Sequence, residues 1–241
     1  MLHRDETGSG EPLVLVHGAW ADGRHWRRLA DELGGFRAIA YDRRGHGRSG
    51  GRHDGVARDV EDLAGVIEDA GAPAHVVAGS LGGSIALRLA GGRPELIRSL
   101  AVHEPALSGL LGSAGPGPPE EVPPPRAFAK SSLGDGWWER LTDDERAGFE
   151  DNGQVWRDEL SDAEAATVDL DALARFHSPV LITIGGESPD FWRQIAAALT
   201  DALPNAIVDT VSGARHLPHL THPREYAEMV ADFARAAAAP R

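Results

Sequence analysis

Ser80 stands among small residues, Ala78-Gly79-Ser80-Leu81-Gly82-Gly83, after the apolar run His75 to Ala78 and before the helical pattern Ser84-Ile85-Ala86-Leu87-Arg88-Leu89. A strand that reverses sharply into a helix needs small neighbours, and a serine at such a bend holds its hydroxyl out where it can react. The helix start adds unpaired N–H groups and the positive end of a dipole, both favourable to a developing oxyanion. A serine hydroxyl is a weak nucleophile unless an imidazole takes its proton during attack. Far down the chain, Ser212-Gly213-Ala214-Arg215-His216 supplies that imidazole, between the last apolar run and the final helical pattern. The imidazole in turn needs a carboxylate to hold its tautomer and stabilise its charged form. Three acids compete for that role. Glu104, in His103-Glu104-Pro105, lies 24 residues beyond Ser80 at the end of a buried run, where an unpartnered carboxylate is costly, and it is favoured. Glu187 and Asp190, in Gly186-Glu187-Ser188-Pro189-Asp190, are the alternatives, although Asp190 reads equally well as the N-cap of a helix beginning at Phe191.

These groups need elements to carry them. Apolar runs bounded by Gly, Pro or Asp predict strands at 13–16, 36–41, 75–78, 100–103, 180–184 and 207–211. Apolar residues at three- and four-residue spacing predict helices at 26–33, 56–70, 81–90, 191–203 and 223–238. Strand and helix alternate, so the expected fold class is α/β, a mostly parallel sheet with helices on both faces. The alternation breaks between Pro105 and His177, where six of the sixteen prolines fall between Pro116 and Pro125. Ser113 to Pro119 reads as an exposed loop, and helices are expected over 137–149 and 159–176. The expected organisation is a core of residues 1–106 and 178–241 with a small helical cap at 107–177.

Four motifs in this order, His17-Gly18-Ala19-Trp20, Asp42-Arg43-Arg44-Gly45-His46-Gly47-Arg48-Ser49, the Ser80 bend and Ser212 to His216, make the chain resemble the α/β-hydrolase superfamily, in particular its compact capped serine hydrolases, over nearly its whole length. There are departures. Ala78 stands where the family usually has Gly, Arg215 precedes the histidine where Gly is common, and Pro189 occupies the position at which most members carry their acid. Members that place the acid on the strand after the nucleophile helix have a spacing like that of Glu104. The resemblance implies an oxyanion hole from the N–H groups of Ala19 and Leu81, a structural His17 that fixes its turn, and acyl transfer through Ser80 and His216. The implied substrate is a small, mainly apolar ester, lactone or thioester. Trp20, Phe128, Trp137 and Trp138 are candidates for the pocket wall, although packing between cap and core would use them equally well. Lactone formation or carbon–carbon cleavage at the same site, and ligand binding without turnover, are the rival readings.

Composition narrows the field further. With 37 Asp and Glu against 24 Lys and Arg, the formal net charge of −13 disfavours nucleic acid and anionic membrane surfaces as partners. The absence of cysteine excludes disulfides and thiol chemistry. Charges within Met1 to Glu6 do not suit a signal peptide, and no apolar run approaches a membrane span, so a cytoplasmic protein is expected. Neither a metal nor an organic cofactor is required. His216, His219 and His222 are three apart, but Pro218 and Pro223 interrupt any helix through them. Gly45-His46-Gly47-Arg48-Ser49-Gly50 spells a dinucleotide fingerprint, yet Asp42-Arg43-Arg44 intervenes after the strand and no helix starts within it.

Overall fold

The computed structural model describes residues 1–112, 121–162 and 164–238. The loop read at Ser113 to Pro119 lies outside the described residues. Seven strands form one sheet: β1 (Arg4–Gly8), β2 (Glu11–Val16), β3 (Phe36–Tyr41), β4 (Ala74–Gly79), β5 (Ile97–His103), β6 (Val180–Gly185) and β7 (Ala206–Val211). Their order is β1-β3-β2-β4-β5-β6-β7, with β1 antiparallel to β3 and every other pair parallel. Six of these strands are the apolar runs of the sequence. β4 and β6 are buried at every position, the pattern of a strand covered on both faces. β1 escaped prediction because Arg4-Asp5-Glu6-Thr7-Gly8 carries no apolar signal; it is an edge strand held by main-chain pairing to β3.

Two helical layers enclose the sheet. On one face α2 (Val56–Gly71), α3 (Leu81–Gly92) and α7 (Asp190–Ala202) bury Leu63, Ile67, Ile85, Leu89, Ile195 and Leu199 against Val14, Val76 and Val102. On the other, α1 (Arg27–Glu32) and α9 (Pro223–Ala238) bury Leu29, Tyr226 and Val230 against Leu13, Leu15 and Val77. Successive strand residues thus feed opposite cores, as the two-residue period of a strand requires.

Between β5 and β6 lie α4 (Pro125–Leu133), α5 (Asp143–Leu160) and the single turn α6 (Leu170–Leu173), and α8 (Pro218–Thr221) precedes α9. The helix expected from Trp137 instead begins at Asp143. Thr142 accepts from the Glu145 N–H while the Glu145 side chain accepts from the Thr142 N–H, and this reciprocal cap fixes the start. Nor do residues 159–176 form one helix, because Asp162 turns back to accept the Val56 N–H at 2.7 Å, and Asp169 caps α6 separately. Asp190 is the first residue of α7 rather than its cap.

The inserted helices pack on the sheet's carboxyl edge through Trp20, Ala129, Leu133, Leu141, Phe149, Leu217 and Leu220. Polar bonds reinforce that seam. Arg28 donates twice to the Glu145 carboxylate, at 2.5 and 2.7 Å, and the Asn152 amide bridges the Gly47 N–H and Asp22. No helix among the described residues is long and apolar enough to cross a membrane.

Candidate active site

Ser80 occupies the turn between β4 and α3 with φ 52° and ψ −124°, a conformation that L-residues adopt only when the surroundings force it. Backbone bonds supply the force. The Ser80 N–H donates to the His103 carbonyl at 2.9 Å, and the Ser80 carbonyl accepts from Gly83 at 2.9 Å and Ala106 at 3.1 Å. Close approach does the rest: a Cβ on Gly18 would lie 2.8 Å from the Ser80 Cβ, and one on Gly82 would lie 2.5 Å from the Val16 carbonyl oxygen. The small residues legible around Ser80 are therefore steric requirements of two chain segments in contact.

Glu104 follows β5 directly, has φ 44° and is 1% exposed. Its Oε2 accepts from His216 Nδ1 at 2.6 Å and its Oε1 from the Gly185 N–H at 2.9 Å. Burial alone would raise this carboxyl. The hydrogen bond from His216 and the neighbouring His103 and His216 rings outweigh it and hold the group at about 2, so Glu104 is ionised throughout the neutral range. With Nδ1 donating to Glu104, the neutral His216 ring carries its lone pair on Nε2. The other two acids are elsewhere. Glu187 is exposed and 3.5 Å from Arg215, and Asp190 is exposed beside Arg193 and Gln194.

His103 and Trp192 flank His216 and were not anticipated. Burial lowers the His103 imidazole to about 4, which leaves it neutral. Its Nε2–H donates to the carbonyl of Arg215 at 3.3 Å while Nδ1 meets the Thr183 hydroxyl at 3.0 Å, tying the residue before His216 to the sheet. Trp192 stacks on the His216 ring, 4.7 Å between centroids and 19° between planes. The only sequence signal for His103 was a polar residue at the end of a buried run. For Trp192 there was none, because its position depends on how α7 is set against the sheet.

Ser80, His216, Ala19 and Leu81 all border one cavity of about 340 Å³. Phe128, Trp156, Leu160 and Trp192 contribute much of its apolar wall. Trp20, Trp137 and Trp138 do not border it. Trp20 is fully buried, stacked on Phe128 at 4.9 Å and against Trp156 at 5.2 Å, so it supports the wall from behind. Trp138 packs on Phe149, and Trp137 lies under the Arg140 guanidinium.

His17 lies behind the Ala19 turn with both ring nitrogens engaged: Nδ1 donates to the Gly18 carbonyl and Nε2 accepts the Arg43 N–H, each at 2.8 Å. Burial, with Arg43 and His46 nearby, drives its imidazole well below the usual range, and it stays a neutral brace. The glycine-rich loop from Gly45 is also bracing. Asp42 accepts from the Gly23 N–H, the Arg48 N–H and the Arg48 side chain, and α2 starts only at Val56. His219 is buried against Trp26 with rings 4.1 Å apart, and His222 Nδ1 meets the Thr221 hydroxyl.

A sheet of this order, a strained serine at a strand-to-helix turn and a histidine bonded to a buried acid define a class of α/β enzyme. The sequence pattern of the Alpha/beta hydrolase family matches residues 13–229, and the chain belongs to that family. It is 28% identical over 250 aligned positions to a pimeloyl-[acyl-carrier protein] methyl ester esterase of Yersinia pseudotuberculosis, covering 94% of this chain and 95% of that one. A 111-residue stretch is 34% identical to the lipase LipV of Mycobacterium tuberculosis, covering 44% of this chain and 42% of the lipase. Among solved structures, the N-acyl homoserine lactonase AidH superposes with a TM-score of 0.81 at 20% identity over 100% of this chain and 94% of that one, a likeness of fold.

Proposed function

We propose that this protein is a serine hydrolase that cleaves a small, mainly apolar carboxylic ester, lactone or thioester through an acyl-enzyme. The observation that carries the reading is the 2.6 Å bond from His216 Nδ1 to the buried Glu104 carboxylate, in a cavity that His216 shares with the strained Ser80. Ser80 Oγ attacks the carbonyl carbon as His216 Nε2 takes its proton. Glu104 orients the ring and stabilises the imidazolium, and the N–H groups of Ala19 and Leu81 hold the oxyanion. His216 then gives its proton to the leaving alcohol, and water activated by the same nitrogen releases the acid. Esterase and lipase relatives support an ester-type bond.

Residues 107–177 act in this reading as a helical cap that excludes water from the acyl-enzyme, with Phe128 and Trp156 facing the acyl chain. The test is turnover of a short-chain p-nitrophenyl ester by wild type and by Ser80→Ala, with circular dichroism on both. Loss of turnover in a folded variant is the expected result, and wild-type rates in that variant would remove the assignment.

A further inference from the structure

Glu159, in the last turn of α5, borders the same cavity and contradicts two local rules. A carboxylate is unfavourable at a helix carboxyl end, and an acid that is 2% exposed needs every oxygen partnered. Its Oε1 is engaged by the Arg43 guanidinium and lies 3.2 Å from His46 Nε2, but its Oε2 takes no partner among the described residues. Arg43 does not neutralise the cluster, because the same guanidinium also donates to the buried Asp59 at 2.7 Å. One guanidinium therefore serves two carboxylates, and the other groups against them are imidazoles, His46 at 3.2 Å from Glu159 and His53 at 3.7 Å from Asp59. Asp162, which also borders the cavity, is committed to the Val56 and Glu164 N–H groups, and no Lys or Arg is among the described residues around it. Burial by itself would raise the Glu159 carboxyl, yet Arg43 and His46 hold it at about 2, so Glu159 is ionised at neutral pH.

We propose that Glu159 makes this cavity selective for esters whose far end carries a hydrogen-bond donor, a hydroxyl, amide N–H or ammonium group, and against esters that end in a carboxylate. The proposal rests on the ester-hydrolase reading above and names the substrate class of that site. A donor brought to Oε2 completes a buried acceptor that has no partner among the described residues, whereas a second carboxylate meets the like charge of Glu159. The chain's net charge of −13 acts in the same direction at longer range.

The test compares methyl hexanoate, its ω-hydroxy and ω-amino analogues and the monomethyl ester of adipic acid, following proton release for the wild type and Glu159→Gln. For the wild type, kcat/KM is expected to fall about tenfold or more from the methyl-ended to the carboxylate-ended ester, and to rise for the donor-ended ones. In Glu159→Gln the ammonium preference should collapse and the carboxylate-ended ester should recover. A carboxylate-ended ester turned over as well as methyl hexanoate, or an ammonium preference that survives Glu159→Gln, would overturn the proposal. Binding gives a readout independent of turnover and of the variant's folding: hexylamine should quench or shift the wild type's tryptophan emission, for which Trp156 and Trp192 are placed, at about tenfold lower concentration than hexanoate. Equal or reversed affinities would also overturn it. Failure to turn over any ester, with the amine preferred in binding, would instead defeat the ester-hydrolase reading and leave the selectivity of Glu159 standing.

Discussion

Replacing Glu104 by Gln changes one oxygen to an NH2 group, and the surrounding bonds show why that is severe. Two donors converge on this side chain, His216 Nδ1–H at 2.6 Å and the Gly185 N–H at 2.9 Å, and a carboxylate accepts both. An amide has one acceptor oxygen. If that oxygen faces His216, the NH2 is forced against the Gly185 N–H. If it faces Gly185, the NH2 donates to Nδ1, and the proton moves to Nε2, the nitrogen that has to act as base. The first arrangement leaves a buried donor opposed, which costs about 1–3 kcal/mol of stability, and the second satisfies both contacts at the expense of the tautomer. Loss of the correct tautomer reduces kcat on the order of 10³- to 10⁴-fold in enzymes of this design. The assay is steady-state hydrolysis of a p-nitrophenyl ester by Glu104→Gln, Glu187→Gln and Asp190→Asn, with urea midpoints for each. The two loop variants should remain within about twofold of wild type, because both side chains are exposed and bind only surface partners. If Glu104→Gln keeps kcat within tenfold of wild type, or if Asp190→Asn loses more, Glu104 does not orient the base.

Acid should destabilise the fold in a defined window. Glu104 and Glu159 are held at about 2 against an ordinary 4.5, so their contribution is fully present above pH 4.5 and is lost as pH falls toward 2. Glu104 alone accounts for about 3 kcal/mol of that loss. Urea midpoints from pH 7 to pH 3 measure it, and midpoints unchanged below pH 4.5 would contradict the ionised pairs. Gly18→Ala should depress kcat with the fold retained, because the new Cβ would be 2.8 Å from the Ser80 Cβ, whereas Gly34→Ala, with nothing within 4 Å, should leave turnover unchanged. Equal kinetics for the two variants would remove the steric argument. Arg43→Gln strands the buried Asp59 and Glu159 without their cation and should lower stability by about 3–5 kcal/mol. A urea midpoint within experimental error of wild type would show that the cluster is already neutral.

The sheet was legible where its strands are buried on both faces, since a run such as Val180 to Ile184 can do little else. β1 was not, because an edge strand needs only backbone partners and this one carries Arg, Asp and Glu side chains. Ser80 was legible for a related reason: the close contact of Gly18 and Gly82 with neighbouring chain imposes small residues that a reader can see. The carboxylate was narrowed to three positions, and what separates them is direction. The turn at Glu104, with φ 44°, aims its side chain at His216, while the Glu187 and Asp190 loop faces Arg215 and Arg193. Aromatic residues signalled the pocket only by type. Trp20 and Trp156 have similar apolar surface, but which one borders the cavity is set by the path of α5, whose start depends on the Thr142–Glu145 cap rather than on its apolar spacing.

Whether Ser80 is an activated nucleophile can be read directly with a fluorophosphonate, which phosphonylates a serine Oγ only where a base and an oxyanion hole assist. Intact mass followed by peptide mapping should find a single adduct on Ser80 of the folded protein, absent from Ser80→Ala and strongly slowed in His216→Ala. An unlabelled wild-type protein, or an adduct on another serine, would mean that this hydroxyl and this imidazole do not work together.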